Sequence, residues 1–355
     1  MRILDIRAEK SSIELKKSFK TALRTLDVID TIIVKVITKD IVGYGAASPT
    51  EVITGDTSQS IMGAINHIKL YLIGKDIRNF EDIMITLNKC IVGNTSAKAA
   101  IDIAIYDLLG KLYNAPVYRL LGGYRTKLIT DITISLNPVE EMVSDSIDAI
   151  NNGFSILKIK LGDDSYIDFK RIQAIREAVG KSIKLRVDAN QGWKPKEAIN
   201  IIKKMEAYNL NIDFIEQPVD AKNLDDLKYV TDNVSIPILA DESVFSPVDA
   251  MKLINMKASD MINIKLMKTG GIYNALKIIN LAEVSGMKCM IGSMMESNIG
   301  ITAAAHLAAS KANVTEVDLD VPLLCKESPI IGGVTYKKDE ITLNNRAGFG
   351  MNFND

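Results

Sequence analysis

Residues 155–162 read SILKIKLG, 183–190 IKLRVDAN, 212–219 IDFIEQPV and 237–243 PILADES. Each is a short apolar run that closes on ionisable residues: Lys158 and Lys160, Asp188, Glu216, Asp241. Short runs rich in Ile, Val and Leu are the signature of buried strands. Working outward, the pattern continues in MINIKLMK (261–268), KCMIGSM (288–294) and VTEVDLD (314–320), and it begins in LITDITISL (128–136). These add Thr133, Lys265, Ser293, Asp318 and Asp320 at or near strand ends. From Lys160 onward the marker residues recur every 24 to 28 positions. One βα unit takes about 30 residues. Eight strand candidates alternating with helical stretches therefore predict a TIM-like α/β barrel.

The region before the barrel reads as mixed α+β. TIIVKVIT (31–38) has the alternation of a strand, residues 58–72 and 96–112 have helical spacing, and GYGAASPT (43–50) and VITGDTS (52–58) carry loop residues. LGGYRTK (121–127) marks a boundary. A length of 355 residues suits two domains. With 43 Lys and Arg against 44 Asp and Glu, no nucleic-acid or anionic-membrane partner is expected. No apolar stretch reaches the length of a membrane span and no leader is visible, so a cytoplasmic address is the default. Three scattered cysteines and two histidines leave little material for disulfides, zinc or a Ser-His-Asp triad. Chemistry is left to carboxylates and lysines.

In a barrel, C-terminal strand ends converge on one mouth. Asp188, Glu216 and Asp241 would meet there as a hard oxygen site, which suits Mg²⁺ better than zinc or copper. A ring of carboxylate–lysine salt bridges is the alternative. Lys158 and Lys160 lie two apart and would share a face, and mutual repulsion would push one amine down toward base strength. Lys265 would face them from the opposite wall. Asp318 and Asp320, read as one strand face, would attract a substrate ammonium, or act as helix caps. Arg24 would clamp a carboxylate or be a plain surface residue. Thr133 and Ser293 are candidate hydrogen-bonding groups. His306 and Trp193 read as packing residues.

KIK (158–160), VDAN (187–190), IEQP (215–218), ADES (240–243) and NIKLMKTGG (263–271) resemble the enolase superfamily in its muconate-lactonizing-enzyme-like branch. FKTALRT (19–25), GNTSAKAAIDIAIYD (93–107), DANQGWKPKEA (188–198), GSMMES (292–297) and VDLD (317–320) resemble the dipeptide epimerases, in particular the L-Ala-D/L-Glu type. The resemblance covers nearly the whole chain. It implies a (β/α)7β barrel at 123–322 under an α+β capping domain at 1–122, completed by the tail 323–355. It implies Mg²⁺ on Asp188, Glu216 and Asp241, an acid/base pair of Lys160 and Lys265, and support from Asn190 and Glu242. The substrate would be a dipeptide, epimerised through an enediolate that Lys158 helps to hold, with Asp318 and Asp320 on its ammonium and Arg24 on an acidic side chain. Assembly as a homo-oligomer and a part in cell-wall peptide metabolism are further implications. Ala46 stands where that family usually has Glu, in what reads as a capping loop. Alternatives are a cycloisomerase or o-succinylbenzoate synthase on the same scaffold, a Schiff-base aldolase, and a metal-binding scaffold without catalysis.

Overall fold

The computed structural model describes residues 1–22 and 24–352. Leu23 of the FKTALRT stretch and residues 353–355 of the tail lie outside the described residues.

The chain opens with a three-stranded antiparallel sheet, β1 (Asp5–Lys20), β2 (Thr25–Ile37) and β3 (Val42–Ala47). β1 pairs with β2 from Asp5 opposite Ile37 to Lys20 opposite Thr25, with one irregularity between Glu14 and Phe19. Helices α1 (Ser58–Leu72), α2 (Phe80–Lys89), α3 (Thr95–Leu112) and α4 (Val117–Leu120) follow. The Thr57 hydroxyl accepts from the Ser60 N–H and fixes the start of α1. α3 is buried on almost every face, as its Ala- and Ile-rich sequence demands.

GYGAASPT is not a loop over its first residues, because Val42–Ala47 form β3. Its glycines answer to packing. A Cβ on Gly45 would stand 1.9 Å from the Ala100 carbonyl oxygen, and one on Gly43 2.1 Å from that of Ala104. The two glycines let α3 press its backbone onto the sheet. Ala46 lies inside β3 opposite Ile33 and is buried, so it is not a capping-loop residue.

LITDITISL divides into two strands. β4 (Lys127–Ile129) leaves the barrel, and β5 (Ile132–Ile134) opens it. Then come β6 (Ile156–Lys160), β7 (Lys184–Asp188), β8 (Ile212–Glu216), β9 (Ile238–Ala240), β10 (Met261–Lys265), β11 (Lys288–Gly292) and β12 (Val314–Val317). β5 to β12 form one parallel sheet in sequence order. The sheet curls until the segments beside its first and last strands meet. There the Asp320 carboxylate accepts from the Thr133 N–H at 2.7 Å, and the Thr130 hydroxyl oxygen accepts from the Leu319 N–H at 2.9 Å.

The helices between and after these strands are α5 (Val139–Asn151), α6 (Ser165–Val179), α7 (Pro195–Ala207), α8 (Leu224–Thr231), α9 (Pro247–Met256), α10 (Leu266–Thr269), α11 (Ile272–Val284), α12 (Asn298–Ser310) and α13 (Val321–Leu324). The main core lies between sheet and helices, while Phe214, Leu239 and Met290 make a small cluster of their own. Fully buried Arg186 pairs with Asp131 at 2.8 Å and with Glu316, and lies 5.1 Å from the centre of the Phe214 ring.

Beyond α13, β13 (Ile331–Gly332) pairs with the final strand, and β14 (Thr335–Lys337) and β15 (Glu340–Thr342) extend a sheet from β4. That final strand is β16 (Met351–Asn352). The Phe349 N–H donates to Asp107 of α3 at 3.0 Å. His306 packs between the Tyr118 and Phe349 rings and accepts from the Tyr118 N–H through Nδ1, as a packing histidine should. Trp193 is buried and donates from Nε1 to Asp168. Among the described residues no helix is long and apolar enough to cross a membrane.

Candidate active site

The register of the barrel sets the site. Lys160, Asp188 and Glu216 are the last residues of β6, β7 and β8. They stand at one level, Lys160 opposite Asp188 and Asp188 opposite Glu216. Lys265 is the last residue of β10, four strands from β6 in a sheet of eight, so the two lysines come from opposite walls. Arg24, Thr133, Lys158, Lys160, Asp241, Lys265, Ser293, Asp318 and Asp320 all line one cavity. Asp188 and Glu216 lie under it, fully buried and joined to it through the lysines.

Ammonium and carboxylate groups interlock. Lys158 Nζ lies 2.6 Å from Asp318 Oδ2, 2.7 Å from Glu216 Oε2 and 3.1 Å from Asp188 Oδ2. Lys160 Nζ donates to Asp188 Oδ2 at 2.6 Å and to Asn190 Oδ1 at 3.2 Å. Lys265 Nζ donates to Asp241 Oδ2 at 2.6 Å and stands 3.9 Å from Glu216 Oε1. Asn190 has φ 41°, a left-handed backbone that Asn tolerates. Its amide bridges Lys160 and Glu242.

These contacts show that Lys158 is not the amine of the Lys158–Lys160 pair that is pushed down. Burial opposes the Lys158 ammonium, but Asp318, Glu216 and Asp188 outweigh it and hold its pKa well above the usual lysine value. The three carboxylates, 2.6 to 3.1 Å from its Nζ, decide its state. Burial likewise opposes the Lys265 ammonium, and Asp241 and Glu216 raise its pKa all the same. Burial works against ionised Asp188, yet Lys160 and Lys158 bring it down to about 2. Burial, reinforced by Asp188, pushes Glu216 up to about 7.

Two further expectations change. Asp318 and Asp320 lie beyond the end of β12, so strand alternation is not what aims them into the cavity. Asp320 has helical dihedrals at the start of α13. Nor is Asp318 uncompensated, since Lys158 holds one of its oxygens. Asp320 is the freer of the two, with burial and Asp318 raising its pKa to about 6.

Among the described residues no three metal-ligating side chains already stand at ligand spacing. The lysine ammoniums lie between the carboxylates instead. The donor set nevertheless fits a hard divalent cation: three buried carboxylates at the ends of three adjacent strands, with no imidazole or thiol among them. Glu216 Oε2 is buried without a hydrogen bond, although Lys158 Nζ is near. Such an oxygen has a lone pair to give a cation.

Four buried residues escaped the sequence reading. Asn263 donates to Glu216 Oε1 at 2.8 Å, and it was within reach, two residues before Lys265 and so on the same face. Lys268 donates to Asp241 Oδ1 at 2.5 Å, and a second lysine one helical turn after Lys265 was a usable signal. Gln217 Oε1 accepts from the Asp241 N–H at 3.0 Å. Alternation would turn Gln217 away from Glu216, so nothing in the sequence pointed to it. Glu296 accepts from the Met294 N–H, and burial pushes its pKa up to about 7.

Residues 4–122 match the mandelate racemase / muconate lactonizing enzyme N-terminal domain, and residues 141–355 match the enolase C-terminal domain-like family. The L-Ala-D/L-Glu epimerase of Clostridium acetobutylicum is 54% identical over 353 residues, covering 99% of each chain. This chain is a member of the dipeptide epimerase family of the enolase superfamily. The Bacillus subtilis L-Ala-D/L-Glu epimerase is 48% identical, over 99% of this chain and 97% of its own. The structure of a substrate-liganded complex of the Bacillus subtilis enzyme superposes with a TM-score of 0.98 at 47% identity, covering 99% of each chain. The Enterococcus faecalis dipeptide epimerase, solved with Mg and the dipeptide L-Leu-L-Tyr, gives a TM-score of 0.96 at 43% identity, again over 99% of each.

Proposed function

We propose that this member of the dipeptide epimerase family is a Mg²⁺-dependent isomerase that inverts the α-carbon of the second residue of a dipeptide, with L-Ala-L-Glu and L-Ala-D-Glu as its substrate pair. The observation that carries this reading is the placement of Lys160 and Lys265 on opposite walls of one cavity, with the acidic strand ends between them. A carbon held midway presents one face to each amine.

Asp188, Glu216 and Asp241 are the residues to hold the cation. Bound there, Mg²⁺ supplies positive charge that competes with the lysines for these carboxylates and favours a neutral amine and a negatively charged substrate carboxylate. One lysine in its neutral form takes the α-proton. The C–H electron pair spreads into the adjoining carboxylate as an enediolate, and the Lys158 ammonium supplies positive charge to it. The opposite lysine, as ammonium, returns a proton to the other face. Asp318 and Asp320 receive the N-terminal ammonium, and Thr133 and Ser293 lie at the cavity wall as hydrogen-bonding groups. Arg24, in the turn between β1 and β2, pairs with the glutamate side chain.

Incubation of L-Ala-L-Glu with enzyme and Mg²⁺ in D₂O tests the reading. Deuterium at the glutamate α-carbon together with the D-Glu diastereomer is expected. Neither product from Ala-Glu or from a broad dipeptide panel would reject it.

A further inference from the structure

We infer that Lys268 is the positioning residue that holds Asp241 as a one-oxygen ligand for a divalent cation. This deepens, and rests on, the reading of the cation site given above. The three carboxylates are not held alike. Asp188 and Glu216 end their strands inside the ladder. Asp241 lies one position past β9 and is held there largely by side chains. Its N–H donates to Gln217 Oε1, and its carbonyl oxygen accepts from the Val244 N–H at 3.1 Å and from Lys268 Nζ.

Lys268 reaches Asp241 from α10, and its side chain is fully buried. An ammonium has three hydrogens to donate. Here the acceptors are Asp241 Oδ1 at 2.5 Å, the Asp241 carbonyl and the Asn263 carbonyl at 3.1 Å. All three are engaged. Among the described lysines, Lys158, Lys160 and Lys265 line the cavity and Lys268 does not, so it has no route to substrate.

The two oxygens of Asp241 thereby acquire different tasks. Oδ1 belongs to Lys268, a partner sealed in the protein. Oδ2 faces Lys265 at 2.6 Å on the cavity side and is the oxygen open to exchange. A cation arriving from the cavity meets Oδ2 alone. Without Lys268 the carboxylate is free to turn about Cβ–Cγ, and a preset ligand becomes one that must be ordered on binding. An ordinary buried salt bridge would contribute to stability, and its removal would leave cation affinity unchanged or, by lifting the repulsion between ammonium and cation, raise it.

The first test uses the wild-type protein, crystallised with Mn²⁺ as the probe. Mn²⁺ on Asp241 Oδ2, with Lys268 still hydrogen-bonded to Oδ1, is the expected result. An Asp241 bound through both oxygens, or a Lys268 turned away, overturns the inference. No Mn²⁺ at Asp188, Glu216 and Asp241 removes the underlying cation reading as well, so the two failures are distinguishable. The second test compares Mn²⁺ dissociation constants of wild type, Lys268→Met and Lys268→Arg by titration calorimetry. Lys268→Met should bind about 10- to 100-fold more weakly, and its kcat should recover at high Mg²⁺. Lys268→Arg should regain part of the affinity. An unchanged or raised Mn²⁺ affinity in folded Lys268→Met overturns the role. Should that variant not fold, the arginine variant and the wild-type crystal decide.

Discussion

The barrel mouth holds its polar side chains in two ways. Lys160, Asp188, Glu216 and Lys265 end their strands and are placed by backbone register. Asp241, Ser293, Asp318 and Asp320 lie one to three residues further on, where the strands have ended. There groups from other elements do the holding: the Gln217 and Lys268 side chains on Asp241, the Lys158 side chain and the Ile291 carbonyl on Asp318, and the Thr133 N–H on Asp320. The first group can change only if the barrel changes. The second can be retuned by single substitutions elsewhere, and the proposed function gives proton transfer to the rigid group and most substrate selection to the adjustable one.

The largest effects should follow from the rigid group. Lys160→Ala and Lys265→Ala should each reduce epimerisation by at least about 10²- to 10⁴-fold, the usual weight of a general acid or base. In D₂O each variant should still exchange the α-proton of one diastereomer of Ala-Glu and not of the other, as followed by NMR. Equal loss with both diastereomers in both variants would mean that opposite walls do not correspond to opposite faces of the carbon. In the adjustable group, Asp318→Asn and Asp320→Asn should raise KM for Ala-Glu roughly 10- to 100-fold, the worth of a charged hydrogen bond, with a smaller change in kcat. A collapse of kcat at unchanged KM would move these residues into the chemistry. Arg24→Met should mainly cut the preference for Glu over Leu at the second position, by roughly tenfold. Competition between L-Ala-L-Glu and L-Ala-L-Leu measures that ratio, and an unaltered ratio would take Arg24 out of side-chain selection.

That division is not what decided how much the sequence disclosed. Lys160, Asp188, Glu216 and Lys265 recur with the period of the βα unit, and Asp241, Ser293 and Asp318, each one position past its strand, fall in the same spaced series. The α1 limits were legible too, because Ile61, Ile65, Ile68 and Leu72 keep a helical period and all are buried. β3 was misread because its glycines answer to α3, a contact that no local pattern announces. Asp318 and Asp320 were found for a reason the structure does not use, since they stand beyond the strand whose alternation was invoked. For the Lys158–Lys160 pair, proximity along the chain was weighed and proximity across it was not. Asp318 is 160 positions from Lys158 and helps to raise its pKa.

The smallest expected effect lies away from both groups, at His306, which is neither register-held nor ion-paired. Its ring is fully buried, accepts one hydrogen bond at Nδ1 and leaves Nε2 without a partner. Burial pushes its pKa down to about 3, against about 6.5 in an unfolded chain. The unfolded chain therefore takes up a proton that the folded one refuses. Above about pH 6.5 the residue contributes no pH dependence, and below it the unfolding free energy should fall by about 1.4 kcal/mol per pH unit until the pH nears the folded value. Urea unfolding of wild type and His306→Gln at about pH 7.5 and about pH 5.5 isolates this contribution. Wild type should lose about 1 kcal/mol more than the variant between the two conditions. Equal losses would mean that the histidine accepts its proton without unfolding, and that the contact of α12 with Tyr118 and Phe349 opens more easily than a sealed aromatic pocket should.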